Sequence, residues 1–220
     1  MTCNQGSNHG CFSDGFGTRR HGNGMVNCKN FGPFTAIDAA CIVPPAITGA
    51  LIPFASGLVP LVLTTAIGDL VSTGGLIGFG TSVPTAGLLG NTIDLSSVLT
   101  GSLLNEAFSV PRPGTVTAIS AAFTITVAAT LLGTSTVNAR IYRAPAGTNI
   151  FTATDVAVTL APDIGLLAAG ALVEGSSSNF APLSVNTGDR LLMVFSTTTT
   201  GILTAAGAVT GAASAGITIA

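Results

Sequence analysis

Along residues 115–127 side chains alternate one for one between two kinds. Thr117, Ile119, Ala121, Phe123, Ile125 and Val127 fall on one side of an extended chain; Val116, Ala118, Ser120, Ala122, Thr124 and Thr126 fall on the other. A period of two is the strand period, because successive Cβ atoms point to opposite faces of a pleated backbone. The first side is bulky enough for a core. The second is small, flat and β-branched, suited to lying against another flat surface. Further strands are predicted at Leu76–Thr81, Glu106–Val110, Val137–Arg143, Val156–Leu160, Arg190–Thr197, Gly201–Val209 and Ala213–Ile219. Between them stand turn sequences: Pro111-Arg112-Pro113-Gly114, Ala144-Pro145-Ala146-Gly147 and Asn186-Thr187-Gly188-Asp189. No stretch has a convincing amphipathic helical period, although Asp163–Val173 could make a short helix. About eight to ten short strands over roughly 170 residues predict an all-β fold, a jelly-roll β-sandwich.

Toward the N-terminus the alternation stops. Residues 1–43 are rich in Gly and Asn and poor in aliphatic side chains, and they hold all four cysteines and both histidines. Such a segment cannot bury enough apolar surface to fold alone. The expected organisation is an extended N-terminal connector arm over 1–43, a linker over 44–49 containing Pro44 and Pro45, and the jelly-roll domain over 50–220. An arm without a core of its own needs a surface to hold it, and a neighbouring subunit would supply one.

Composition sharpens that picture. The chain has 220 residues, 47% hydrophobic and 7% charged, with a net charge of −2. An average soluble domain carries about 25% charged residues, so this surface is poorly charged for a free monomer and suits burial in an assembly. Seven basic residues, clustered only at Arg19-Arg20, exclude a nucleic-acid footprint. The mean hydropathy of +0.68 raises the question of a membrane. However, Pro44, Pro45, Pro53 and Pro60 interrupt the uncharged stretch 39–68, and 115–139 has strand character, so no membrane span is expected. The start, Met1-Thr2-Cys3-Asn4-Gln5-Gly6, does not have the pattern of a signal peptide.

Several segments occur in an order that is specific. They are Ala50-Leu51-Ile52-Pro53-Phe54-Ala55-Ser56-Gly57, Gly78-Phe79-Gly80 and Phe108-Ser109-Val110-Pro111-Arg112-Pro113-Gly114-Thr115-Val116-Thr117. Ile141-Tyr142-Arg143-Ala144-Pro145-Ala146-Gly147-Thr148-Asn149 follows, then Pro182-Leu183-Ser184-Val185-Asn186-Thr187-Gly188-Asp189-Arg190-Leu191-Leu192, and finally Gly207-Ala208-Val209-Thr210-Gly211 with Ala213-Ser214-Ala215-Gly216-Ile217. Together they resemble the C-terminal domain of the collagen-like exosporium glycoproteins (the BclB type) of spore-forming Bacillus relatives, over about residues 50–220. The resemblance implies a jelly roll similar to the tumour necrosis factor (TNF) and C1q families, associating as a homotrimer on the spore surface. Where those proteins carry a Gly-X-Y stalk, this chain has its short cysteine-bearing arm, and its 28 glycines show no period of three. In layout that arm is similar to the one on bacterial endospore appendage subunits, where the arm of one subunit docks into another and can be cross-linked to it.

Candidate chemistry is sparse. Cys3, Cys11, Cys28 and Cys41 contain no C-x-x-C pair, so a zinc finger is poorly supported. Disulfides, chiefly between subunits, are the expected state; a metal site completed by His9 and His21, or free thiols, are the alternatives. Phe12, Phe16, Phe31 and Phe34 punctuate a Gly-rich backbone and are candidate docking anchors for strand addition, or else a local hydrophobic cluster. Val116, Ala118, Ala122, Thr124 and Thr126 are candidate subunit contacts on the flat face. No histidine lies in the β domain to complete a serine triad. Asp155, Asp163 and Glu174 read as solvated loop carboxylates, and Gly78-Phe79-Gly80 lacks the helix and lysine of a phosphate loop. Arg112, Arg140 and Arg143 are expected in ion pairs, within or between subunits, rather than in an anion site. The expectation is therefore a non-enzymatic, cofactor-free structural protein of the spore surface, exosporium or appendage, extracellular after mother-cell lysis. Its main partner would be itself, as trimer and head-to-tail polymer, with other exosporium or tip proteins as further partners. The alternative is a trimeric tip or adhesin that binds a ligand and uses the arm only as an anchor.

Overall fold

A computed structural model of the chain describes residues 49–65, 72–85, 91–96, 105–127, 134–165, 169–200 and 207–220. All of these belong to the unit Ile47–Ala220. The 1–43 arm, with its cysteines, histidines and candidate anchors Phe12, Phe16, Phe31 and Phe34, lies outside the described residues.

The described strands form two antiparallel sheets. Sheet one contains β1 (Ala50–Ala55), β2 (Leu61–Thr65), β3 (Ser72–Thr73), β8 (Gly114–Val127), β11 (Leu172–Ser177), β12 (Leu183–Val185) and β14 (Gly207–Ile219), in the order β11-β8-β14-β2-β3, with β12 also on β8 and β1 also on β14. Sheet two contains β4 (Gly75–Ile77), β5 (Ser82–Pro84), β6 (Thr92–Asp94), β7 (Phe108–Ser109), β9 (Thr134–Ala144), β10 (Ile150–Thr159) and β13 (Arg190–Thr200), in the order β5-β4-β13-β9-β10-β6, with β7 also on β13. The pairing is nested. The first strands, β1 and β2, lie on the last, β14; β4 lies on β13; β8 lies on β11 and β12; β9 lies on β10. Folding such a set of nested pairs into two facing sheets gives a jelly-roll β-sandwich.

The core between the sheets is built from alternate residues of the long strands. Ile119, Ala121, Phe123 and Ile125 of β8 face Val137, Ala139 and Ile141 of β9 and Leu191, Met193 and Phe195 of β13 in one buried cluster. The Phe123 and Phe195 rings approach across the gap with centroids 6.4 Å apart. A smaller cluster takes Tyr142, Ala144, Leu192 and Val194 from the alternate residues of β9 and β13, adds Leu76 of β4, Phe151 of β10 and Leu95, and so covers part of the other face of sheet two.

Several expectations need correction. Val116 belongs to the inter-sheet core and is fully buried, rather than sharing the flat face with Ala118. Its partner strand explains why: β14 pairs Thr218 with Ala118 but Ile219 with Val116, so Thr117 is an extra residue and the side-chain parity flips there. Asp163–Val173 forms no helix among its described residues; Ile164 bridges Ser135, and β11 begins at Leu172. The segments expected as Gly201–Val209 and Ala213–Ile219 are joined as β14, which runs unbroken from Gly207. The strand expected at Leu76–Thr81 ends at Ile77, where Gly78-Phe79-Gly80 turns the chain, and the one expected at Glu106–Val110 shrinks to Phe108–Ser109.

Candidate self-association surface

The outward face of sheet one is assembled from small side chains in register. Across β1, β14, β8 and β11, one row reads Pro53, Gly216, Ser120 and Ser176, and the next reads Ala55, Ser214, Ala122 and Glu174. Neighbouring rows add Leu51, Thr218 and Ala118 on one side and Ala212, Thr124 and Leu172 on the other. Strands this rich in Ala, Ser, Thr and Gly give a face with little relief. Leu51 is 78% exposed, Val127 58% and Leu172 48%, so the face also presents large apolar groups to water. A shallow groove of about 380 Å³ runs over it, lined by Leu51, Ala118, Ser120, Ser176, Gly216 and Thr218 among others.

Charge is distributed unequally between the sheets. The seven strands of sheet one contain a single charged residue, Glu174, whereas those of sheet two carry Asp94, Arg140, Arg143, Asp155 and Arg190. Glu174 and Asp155 thus lie on strands rather than in loops, and Asp163 accepts a 2.7 Å hydrogen bond from Thr136 Oγ1. These three carboxylates sit on different elements, and among the described residues no group of three or more His, Cys, Asp and Glu is arranged to hold a metal.

Of the predicted contacts on β8, the half-buried Ala118, Ala122 and Thr124 lie in these outward rows, and Thr126 is exposed at the strand's end, its hydroxyl donating to Thr210 O at 3.3 Å. Val116 does not join them. Residues of β1 and β14 complete the surface, and sequence reasoning did not name them. The signal was present in β14 as Ala212, Ser214 and Gly216 at every second position.

The remaining polar groups are structural. Asp189 is buried and holds the β12–β13 turn to the turn after β9. Arg143 Nε and Nη2 donate to its Oδ2 at 2.9 and 2.8 Å, and the N–H groups of Asn186 and Ala146 donate to its two oxygens. Burial alone would raise its pKa, but the Asn186 N–H and the Arg143 charge outweigh that and hold the carboxyl below the usual range. Glu106 is also buried, yet its carboxylate accepts only from Thr81 Oγ1, at 3.0 Å, among the described residues. Burial pushes this group up, and the Thr81 hydrogen bond only partly opposes it. At the rim, Leu58, Val59 and Phe79 are exposed, with Phe79 stacked on Phe54 at 5.6 Å and edge-on to Phe108 at 6.3 Å. Gly57, at φ +73°, makes this crest possible, since a Cβ there would lie 1.9 Å from the Gly80 carbonyl oxygen.

No family model matches the chain. Its sequence is similar to "Collagen-like protein 1" of Acanthamoeba polyphaga mimivirus, 32% identical over 162 residues, which is 70% of this chain and 17% of that protein. The chain therefore spans about a sixth of that relative's length. Among solved structures, Eiger TNF from S. frugiperda aligns with a TM-score of 0.37 at 8% identity, covering 79% of this chain and 94% of the other.

Proposed function

We propose that this protein is a self-assembling structural subunit of a bacterial spore-surface fibre, appendage or exosporium layer. Jelly rolls associate as trimers through the outward face of sheet one, and the 1–43 arms link successive units. The observation that carries the proposal is the sorting of charge: one broad face with a single carboxylate, Glu174, backed by a sheet that holds the rest of the strand charges. Strand spacing and rise over four strands give that face roughly 600 Å², close to the ~800 Å² per partner of a standard interface. Similarity to a collagen-like protein supports a structural role. Arms that pair head-to-tail make heterologous contacts, which propagate into open fibres when the rotation does not close. Disulfides through Cys3, Cys11, Cys28 or Cys41 would make dissociation slow.

Three measurements test this. Ser214→Glu places a second carboxylate in the row that already holds Glu174, and sedimentation velocity should then show monomers in place of trimers; trimers that persist would remove the face from the assembly. Deleting 1–43 should abolish filaments in electron micrographs while leaving discrete trimers. Filaments that survive the deletion would overturn the role given to the arm. Non-reducing gels should show a ladder that reductant collapses.

A further inference from the structure

Sheet two has a groove of about 510 Å³ on its outward face, where the smaller apolar cluster ends. That volume lies within the usual range for small-molecule sites, about 300–1,000 Å³. Its floor is a block of cross-strand neighbours. Arg140 stands between Val194 of β13 and Ala157 of β10, and Asn138 stands between Ser196 and Thr159. Tyr142 closes one end, Thr198 the other, and Asn91 forms part of the wall.

The lining side chains differ in how they are held. The Asn138 amide is held in place, accepting from Thr159 Oγ1 at 2.9 Å and donating to Thr198 Oγ1 at 3.2 Å. Arg140, Tyr142 and Ser196, by contrast, make no side-chain hydrogen bond or ion pair among the described residues. Tyr142 is only 6% exposed, and among the groove's side chains the buried hydroxyl left without a partner is that of Thr197. Burial pushes the Tyr142 pKa up, and the Arg140 charge beside it opposes that rise. Among the described residues no carboxylate lines the groove, and Arg140 is its one charged group there. The backbone groups of β9 and β13 are paired with each other along the whole floor, so recognition here falls to side chains and not to strand addition.

We infer that this groove binds an acidic sugar: a carboxylate on the planar guanidinium of Arg140, with ring hydroxyls on Asn138, Ser196, Thr198 and Tyr142. A guanidinium grips a carboxylate through two parallel N–H donors, while amide and hydroxyl groups both donate and accept, as ring hydroxyls require. A single cation is too little for nucleic acid. The groove lies on the opposite side of the sandwich from the flat face, so the inference stands apart from the assembly proposal.

Saturation-transfer NMR on the full chain tests it, with D-glucuronate as probe and D-glucose and inorganic phosphate as comparisons. Glucuronate should bind saturably and glucose at least about tenfold more weakly. Arg140→Gln should weaken glucuronate by about tenfold to a hundredfold, Arg140→Lys by less, and Tyr142→Phe by about twofold to tenfold. Arg140 is exposed and unpaired among the described residues, so Arg140→Gln should melt with the parent. No saturable glucuronate binding, or equal affinity in Arg140→Gln, would overturn the site. Glucose binding as tightly would overturn the role of the acid, and phosphate displacing glucuronate at equal concentration would reduce the groove to a simple anion site.

Discussion

Val116 and Ala122 lie six residues apart on β8, and strict alternation would put both on the flat face. The extra residue at Thr117 separates them, with Val116 in the core and Ala122 half-buried on the outward side. Their substitutions should therefore fail in different ways. Val116→Ala removes two methyl groups, about 1.6 kcal/mol at ~0.8 kcal/mol per buried group. A residual cavity of roughly 40 Å³ adds about 1 kcal/mol at ~24 cal/mol per Å³. A loss of about 2–3 kcal/mol lowers Tm by about 5–10 °C in a domain of this size. Ala122→Glu fills no core space and should shift monomer stability by less than about 0.5 kcal/mol, while it places a charge in the proposed contact. Association raises apparent stability by mass action, so Val116→Ala is best compared in the Ala122→Glu background. Circular-dichroism melts and urea midpoints read the first effect, and sedimentation velocity reads the second. If Val116→Ala melted with its parent while changing the association state, the parity flip would be wrong; if Ala122→Glu left the trimer intact, the face would not be the contact.

Two further substitutions probe the buried carboxylates, with opposite signs. The Glu106 pKa is raised in the fold, so stability is fully present below the unfolded value and falls as pH rises through the folded value. Glu106→Gln should flatten that decline and be more stable than the parent at pH 7, as thermal melts between pH 4 and 8 would show; a Gln variant with the parent's slope would contradict this. The Asp189 pKa is lowered, so its contribution is present above the unfolded value and lost as pH falls through the folded one. Asp189→Asn should cost about 2–3 kcal/mol at pH 7, the usual size for hydrogen bonds to a charged group, and much less near pH 2.5. An equal cost at both pH values would mean the charge is unimportant.

Much of the sandwich was legible because β8, β9 and β13 alternate over ten or more residues, long enough for the period to outweigh local composition. What the alternation could not reveal was a single-residue insertion. Nothing in Val116-Thr117-Ala118 marks it, since the bulge is defined by pairing with Thr218 and Ile219 about a hundred residues away. The β1 strand was hidden by Pro53, which an edge strand tolerates because one side of its ladder is unpaired. Leu166-Leu167-Ala168-Ala169 gave Asp163–Val173 its helical look, but Gly170, at φ +89°, turns the chain into β11. As for the candidate surface, its β8 part was legible except at Val116. The rest came from strands whose proximity only the nested topology supplies.

That topology also sets how the domain bears tension. Because the first strand pairs antiparallel with the last, Ala50 sits opposite Ile219 and Ala55 opposite Ser214, with the chain entering and leaving at the same end of the ladder. A pull between residues 49 and 220 would break those pairs one after another, as a zipper opens, at low force. A pull between residue 49 and a partner gripping the outward face would load every pair of the β1–β14 ladder at once. A fibre strained along the second route would resist as a lap joint does, and the same hydrogen bonds would be mechanically weak or strong according to where the neighbour holds.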